Sequence, residues 1–395
     1  MESTEGVVTT DGNFVDLRKN CTEITQATDR CIVFDVNTTV PWNNPNNLIS
    51  SETEYLINRI TTAVLIPILF LIGLPANCLN MLVFYRQGLK DRIILCLFSL
   101  SFVDLIYITF LFLMYAERTY SQFTTGERYG TVFRFLMNQN VVGLYGFGYA
   151  SMFLSATISC ERCFCVLFPL RSQLMLETKT MAVIVVVSVS VIGFLRFAVT
   201  AQYQVACFFD QQTTLTSTQI YVSEYYFKHR QMLRWLDGIF YGFVMTVGCP
   251  LVVLVTTTIT AVKLRQTIVW RRQTTTNMSN KEAALTKMLI CLSAEFFVLS
   301  IPFIGVRVTP VFVPQLGSGG EYANTFLVMI SVGEFCSYAN SSVNFFVNYF
   351  TGSRYQKTLH DIVNVKRRPK NTASDGQGLS TPSVKISIVS INTRF

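Results

Sequence analysis

Ser155-Ala-Thr-Ile-Ser-Cys160-Glu161-Arg162-Cys163-Phe-Cys-Val-Leu-Phe-Pro169-Leu170 ends a long apolar run on a Glu-Arg pair and follows it with Pro-Leu. An ionisable pair beside hydrocarbon is expensive and is usually kept for function. Glu282 stands far along the chain, at the start of another apolar run. Arg162 therefore has two candidate acids, and the pair reads as a bridge between two helices at one membrane face. The plainer reading is an arginine that snorkels to the interface.

Half of the residues are hydrophobic and 14% are charged, and the mean hydropathy is +0.39. Those values describe a polytopic membrane protein rather than a soluble globule. A helix needs about 20 apolar residues to cross the hydrocarbon core. Seven stretches qualify, at about 57–85, 93–116, 133–166, 180–202, 235–263, 285–308 and 324–350. The third is least apolar at its outer end, where Asn138-Gln-Asn140 sits.

Short loops rich in Lys and Arg stay in the cytoplasm. Here they carry Arg86, Lys90 and Arg92, then Lys263, Arg265, Arg271, Arg272 and Lys281, and after the last span Arg354, Lys357 and Lys366-Arg-Arg-Pro-Lys370. Residues 1–56 are acidic on balance, so the N-terminus is outside and the C-terminus inside. The expected architecture is an all-α membrane protein. An extracellular glycosylated tail at 1–56 precedes a seven-transmembrane helix bundle at 57–350. A short amphipathic eighth helix at 351–363 and a disordered cytoplasmic tail at 364–395 follow. The net charge of +8 orients the chain in a lipid bilayer, and no nucleic-acid partner is expected. Met1 to Asp35 lacks the apolar stretch of a cleavable signal, so the first span is expected to direct insertion. Asn20-Cys-Thr22 and Asn37-Thr-Thr39 are glycosylation sequons on the outer side. Cys21, Cys31 and Cys207 lie outside, where disulfides persist, and the other eight cysteines fall in or beside spans as small packing residues.

Further motifs recur in order on these spans: Gly73-Leu-Pro-Ala-Asn77, Leu100-Ser-Phe-Val-Asp104-Leu, Glu161-Arg162-Cys163 with Pro169-Leu170, Pro250, Phe296 with Pro302, and Asn340-Ser-Ser-Val-Asn344. Together they resemble the rhodopsin-like (class A) G-protein-coupled receptors over roughly residues 57–360. Phe84-Tyr-Arg-Gln-Gly-Leu-Lys-Asp91 and Lys281-Glu-Ala-Ala-Leu-Thr-Lys-Met288 are similar to invertebrate FMRFamide-type and molluscan chemosensory receptors.

The resemblance implies a neuropeptide or chemosensory receptor that activates a heterotrimeric G protein from the plasma membrane. Glu161, Arg162, Glu282, Pro169 and Leu170 would form the coupling switch, with Arg162 released on opening to face a G-protein helix. Asp104, a carboxylate in mid-membrane, needs partners, a proton or an ion. Ser151 lies eleven residues before Arg162, some 16 Å deeper at the helical rise. With Asn77, Asn340, Ser341 and Asn344 it completes a polar hub suited to a hard monovalent cation. The resemblance implies sodium there; a hydrogen-bonded cluster around a protonated Asp104 is the alternative. No other cofactor is expected.

Leu144 stands where amine receptors place an acid, so a biogenic amine is not expected. Tyr145, Trp235, Asp237, Tyr241, Phe303, Arg307 and Glu334, with Arg196, put both charge signs among aromatics in the outer half of the bundle. That mixture suits an extracellular peptide or a zwitterionic small molecule. The alternative is that Arg196 snorkels outward and Arg307 pairs structurally with Glu321 or Glu334. Ser and Thr in the tail imply kinase and arrestin docking, or else merely solubilise it.

The chain also departs from the family pattern. No cysteine lies between Cys96 and Cys160, so the usual bridge to the second outer loop is excluded; Cys207 pairs with Cys21 or Cys31, or stays free. Ser300 replaces the usual tryptophan two residues before Pro302. The seventh span lacks its proline and has Asn348-Tyr349, which turns the tyrosine about 100° away and leaves its role absent or taken by Asn348. Thr256-Thr-Thr258 stands where the fifth span usually has a tyrosine. A seven-span transporter or channel is the competing class, but no internal repeat of the transporter kind is present. His229 and His360 are the only histidines and no nucleophile motif lies in a span, so an enzyme is not expected.

Overall fold

A computed structural model describes residues 31–34, 46–124, 130–168, 177–210, 216–274, 280–317 and 320–365. Among the described residues seven long helices form one bundle: α1 Ser51–Gln87, α2 Arg92–Thr124, α3 Val141–Leu167, α4 Thr178–Thr200, α5 (Glu224–Leu233, Arg234–Gly248 and Cys249–Thr274 end to end), α6 Asn280–Phe312 and α7 Ala323–Thr351. A shorter α8, Ser353–Val365, follows. Among the described residues, α1 to α6 are long and apolar enough to cross a membrane. α7 is more polar because Ser331, Ser341, Ser342, Asn344 and Asn348 are buried in its packing against α1, α2 and α6.

Local chemistry sets the helix ends. Ser50 caps α1 by accepting from the Thr53 amide at 3.2 Å, with Glu52 and Glu54 in the first turn favouring the helix dipole. The helix thus begins at Ser51, earlier than hydropathy alone indicates. Gly88, at φ 97°, ends it in a conformation glycine adopts without strain. Two π segments, Thr61–Leu65 and Arg234–Gly248, run up to Pro67 and Pro250. A proline cannot donate to the carbonyl four residues back, and its ring crowds that oxygen. The wider turn relieves this, and the Thr246 hydroxyl donates to the Tyr241 carbonyl at 2.8 Å.

The third span differs most from expectation. Residues 133–166 are not one helix: Thr131–Asn138 is a separate short helix, and α3 begins with a 3₁₀ turn at Val141–Tyr145. Asn140 takes φ 58° between them, a conformation asparagine tolerates. A Cβ on Gly146 would meet the Arg196 Cβ at 2.8 Å, so glycine lets α3 and α4 touch where Arg196 enters the bundle.

Over the outer face, β2 (Tyr203–Asp210) and β3 (Thr216–Val222) form an antiparallel hairpin, joined in parallel by β1 (Cys31–Phe34). These strands were not anticipated from the sequence. Asn138 pins the hairpin, accepting from the Val205 amide at 2.9 Å and donating to its carbonyl at 3.3 Å. Asn20, Asn37 and Cys21, and the tail beyond residue 365, lie outside the described residues.

The β1–β2 register sets residues 31 and 207 opposite one another. Adjacent strands are about 4.8 Å apart, within the Cα separation a disulfide spans. Non-reducing peptide mapping of cell-surface protein is therefore expected to recover a Cys31–Cys207 linked peptide, lost in Cys207→Ser. Linkage of Cys207 to Cys21, or its alkylation as a free thiol, would count against that pairing.

Candidate functional site

At the cytoplasmic end, Glu161 is buried and shared by two arginines. Its Oε2 lies 3.4 Å from Arg162 Nε, and its Oε1 lies 3.4 Å from Arg92 Nη2 at the start of α2. The Cys165 thiol donates to the same Oε1 at 3.2 Å. Sequence reading counted Arg92 only as a loop charge. Side chains of residues 280–284, including Glu282, and residues Pro169 and Leu170 lie outside the described part of the structure. Beside Arg162 a small cavity opens between α3, α5 and α6, bordered by Ser159, Thr257, Thr260, Thr286 and Ser293. The Thr256 and Thr258 hydroxyls fold back onto their own helix, donating to Val252 and Leu254 carbonyls at 2.7 Å each, so they do not substitute for a tyrosine reaching inward.

One layer deeper, Asp104 is fully buried. Its Oδ1 accepts from Ser151 at 2.7 Å and Ser341 at 2.8 Å, and its Oδ2 from Asn344 at 3.0 Å. These bonds join α2 to α3 and α7. Asn77 does not bond to Asp104; its amide donates to the Ser341 carbonyl at 2.8 Å and to Gly73 at 3.1 Å, holding α7 against α1. Asn340 also stays off the carboxylate, and its Oδ1 is buried without a partner. Asn340 lines a cavity of about 10 Å³, room for roughly one water, together with Ser151, Ser300, Ser337 and Ser341. The short Ser300 side chain, in place of a tryptophan, borders this space and donates to the Phe296 carbonyl at 2.7 Å.

Above the cavity, tyrosines form a chain. Ring centroids are 5.8 Å apart for Tyr107–Tyr145, 6.5 Å for Tyr145–Tyr149 and 4.8 Å for Tyr149–Tyr241. Arg307 donates to the Tyr149 hydroxyl at 3.1 Å, and Phe303 packs on the Tyr149 ring at 6.3 Å. Arg196 points inward, against the snorkelling alternative. Its Nη1 meets Asp237 Oδ1 at 2.7 Å, and its guanidinium lies 5.1 Å from the Tyr241 ring centroid. The Tyr115 hydroxyl donates to Glu334, and both Arg118 and Arg307 act on that carboxylate electrostatically.

Two pocket candidates need correction. Trp235 is 59% exposed on the outside of α5, so it does not line the interior. Leu144 packs in the apolar cluster under the hairpin with Phe110, Met114 and Val205. Tyr241 is buried, but its hydroxyl is committed to the Ile192 carbonyl at 2.5 Å.

A further cluster escaped sequence reading. Tyr355 on α8 is 2% exposed and donates to Asn80 Oδ1 on α1 at 2.7 Å, while Asn348 on α7 donates to the same oxygen at 3.3 Å. Phe84 and Phe345 pack edge-on against the Tyr355 ring. The signal was present: Asn80 is a second asparagine one turn after Asn77 in an apolar run. Asn348 of α7 and the Tyr355 hydroxyl of α8 thus converge on one oxygen of α1.

A family model described as serpentine type 7TM GPCR chemoreceptor Srw matches residues 64–366. The chain is also similar to galanin receptor 2a of Danio rerio, at 24% identity over 316 residues, covering 79% of this chain and 80% of that receptor.

The Tyr355 clamp has a measurable consequence. Tyr355→Phe keeps the ring and removes one buried hydrogen bond, so it is expected to lower the stability of the detergent-purified protein by about 1 kcal/mol, read as a lower thermal midpoint. Burial pushes the phenol above its ordinary range. The stability of burying the neutral phenol is therefore intact below about pH 10, the usual tyrosine value, and is lost as pH rises beyond it. An unchanged midpoint at neutral pH would show that the hydroxyl contributes nothing.

Proposed function

The chain belongs to the Srw family of serpentine seven-transmembrane chemoreceptors, plasma-membrane receptors coupled to G proteins, and from that premise we propose that its ligand is an extracellular peptide or zwitterionic small molecule. The observation that carries this reading is the inward-facing pairing of both charge signs among tyrosines. Arg196 meets Asp237, Arg307 meets Tyr149, and Glu334 meets Tyr115. A ligand with a cationic and an anionic end can exchange these contacts for its own without stranding either charge. A monoamine would leave the arginines unanswered, and an apolar odorant would answer neither sign. Tyr149 stands between the charged layer and the cavity at Ser300, so a ligand that draws Arg307 away also perturbs the packing above Asp104.

The donor set around Asp104 fits a sodium ion: a carboxylate, the Ser151 and Ser341 hydroxyl oxygens and the unpartnered Asn340 oxygen are hard ligands. Such an ion would neutralise Asp104 and favour the arrangement in which α2, α3 and α7 converge. At the inner face Glu161 holds Arg162 in that arrangement, and Glu282 is the second acid this reading assigns to Arg162. The pair is modest in strength, which suits a switch that a ligand's differential affinity must move. Receptor kinase and arrestin are the further partners of this reading, docking on the Ser/Thr-rich tail.

Receptor co-expressed with a G protein is expected to accelerate nucleotide exchange when screened with charged short peptides and amino-acid-like zwitterions. Glu334→Gln and Arg307→Gln should each lower the potency of a hit about tenfold or more at unchanged surface expression, as expected when a desolvated charge loses its partner. Activation by neutral compounds, equally potent on both variants, would sink the ligand assignment while leaving the receptor intact. Separately, sodium is expected to raise the thermal midpoint of purified receptor relative to choline, because a ligand bound to the folded state stabilises it. Asp104→Asn should abolish the difference; a midpoint equal in both salts for the unsubstituted receptor would exclude the ion.

A further inference from the structure

Glu295 lies midway along α6, in Ser293-Ala-Glu295-Phe296-Phe, and nothing derived above uses it. Both of its carboxylate oxygens are buried, and neither has a hydrogen-bond partner among the described residues. Asp104 is the ionisable group that acts on it electrostatically. The two acids are treated very differently by their surroundings. Asp104 receives three donors, from Ser151, Ser341 and Asn344, whereas Glu295 receives none. Helical spacing places Glu295 on the face of Leu299, one turn to the cytoplasmic side. Leu299 borders the Ser300 cavity, as does Asn340, whose Oδ1 is another buried acceptor without a donor.

This arrangement is unfavourable in either protonation state. Ionised, Glu295 is a desolvated charge of the same sign as Asp104; protonated, it strands a hydroxyl and a carbonyl. Replacement by leucine would remove the penalty, so the acid makes the closed bundle less stable than it need be. Stranded polar groups of this kind mark strain reservoirs when the group sits on an element that moves.

On the receptor reading proposed above, on which this inference rests, α6 is such an element, because its inner half must part from α3 to admit a G-protein segment. Thr286, Leu289, Ile290 and Ser293 form its side of the cavity beside Arg162, and the Ser293 hydroxyl meets Ser159 of α3 at 2.8 Å. Widening that cavity for a partner segment displaces this part of α6 and parts Ser159 from Ser293. The same displacement carries the Leu299 face of α6, on which Glu295 lies, away from Asn340 of α7, and the Glu295 carboxyl then gains access to water. The closed state strands the carboxyl and the open state relieves it.

We propose that Glu295 is a transduction residue that biases the receptor toward its open arrangement by destabilising the closed one. The proposal holds with or without a cation at Asp104 and is independent of ligand identity.

The test uses full-length, unliganded receptor carrying Glu295→Leu or Glu295→Gln. Leucine should raise the thermal midpoint of purified receptor and slow amide hydrogen exchange in α6 residues 286–296 about fivefold, with α2 unchanged as the internal control. In membranes with G protein, basal nucleotide exchange per surface receptor should fall by about the same factor. Glutamine, which keeps a buried polar group but cannot ionise, should lie between leucine and the unsubstituted receptor. Unchanged or faster exchange in α6 overturns the proposal. So does a fall in basal signalling accompanied by a lower midpoint, which would mark Glu295 as ordinary structural support; if leucine fails to fold, glutamine decides by the same readouts.

Discussion

Asp104 is fully buried, and its three protein hydrogen bonds come from α3 and α7, which are held where they can supply them. The rest of the inner bundle follows from that requirement. α7 must turn Ser341 and Asn344 toward α2, which places Asn348, one turn on, against α1. Asn77 and Asn80 meet that face, and Tyr355 closes it from α8. An unmet polar group in a bundle interior costs about twice what a met one returns, so this chain of contacts is constrained at each step. The polarity of α7, which makes it the least apolar span, is a consequence of the same requirement.

The layers above and below are built on different terms. In the outer layer the charges are paired but separable: Arg196 with Asp237 and Arg307 with Tyr149 hold one another through groups that another partly charged molecule can also offer. In the inner layer Glu161 divides its attention between Arg92 and Arg162, at 3.4 Å from each. Sharing weakens the hold on Arg162 compared with a bidentate pair. Between these layers, a cavity stands beside Ser300 where a bulky aromatic would otherwise transmit displacement by contact. A packed core moves in discrete rearrangements, and this gap, bordered by Ser300 and Phe303, holds room for about one water instead.

The architecture was legible in the sequence because membrane burial imposes strong one-dimensional signals: apolar length, Lys and Arg asymmetry, and rare polar residues at fixed helical spacing. Asp104, Ser151, Ser341 and Asn344 were legible for that reason. What hydropathy does not encode is which neighbour a side chain turns to. Asn77 and Asn340 have the right depth for the hub, yet one bonds to the α7 backbone and the other faces the cavity. Trp235 has the right chemistry for a pocket and the wrong face, since it is exposed on the outside of α5. The break at Gln139 and Asn140 was hidden by apolar residues on both sides. Tyr355 was hidden by its helix, whose amphipathic pattern suggested the bilayer as the partner of every apolar side chain.

Glu295 was overlooked for the opposite reason. It is the conspicuous residue of an apolar run, but with no motif around it, it passed as a single interruption. Its meaning lies in comparison with Asp104. One acid in a membrane interior can be read as a ligand for a proton, an ion or a set of hydroxyls. A second acid without donors, on the helix that borders Arg162's cavity, cannot serve the same purpose, because the donors are spent on the first. The closed bundle then contains a group that it satisfies and a group that it does not, on elements that move relative to each other. A switch needs both: the satisfied acid gives the resting state a defined structure, and the stranded one keeps its stability low enough for modest ligand binding energy to overturn it.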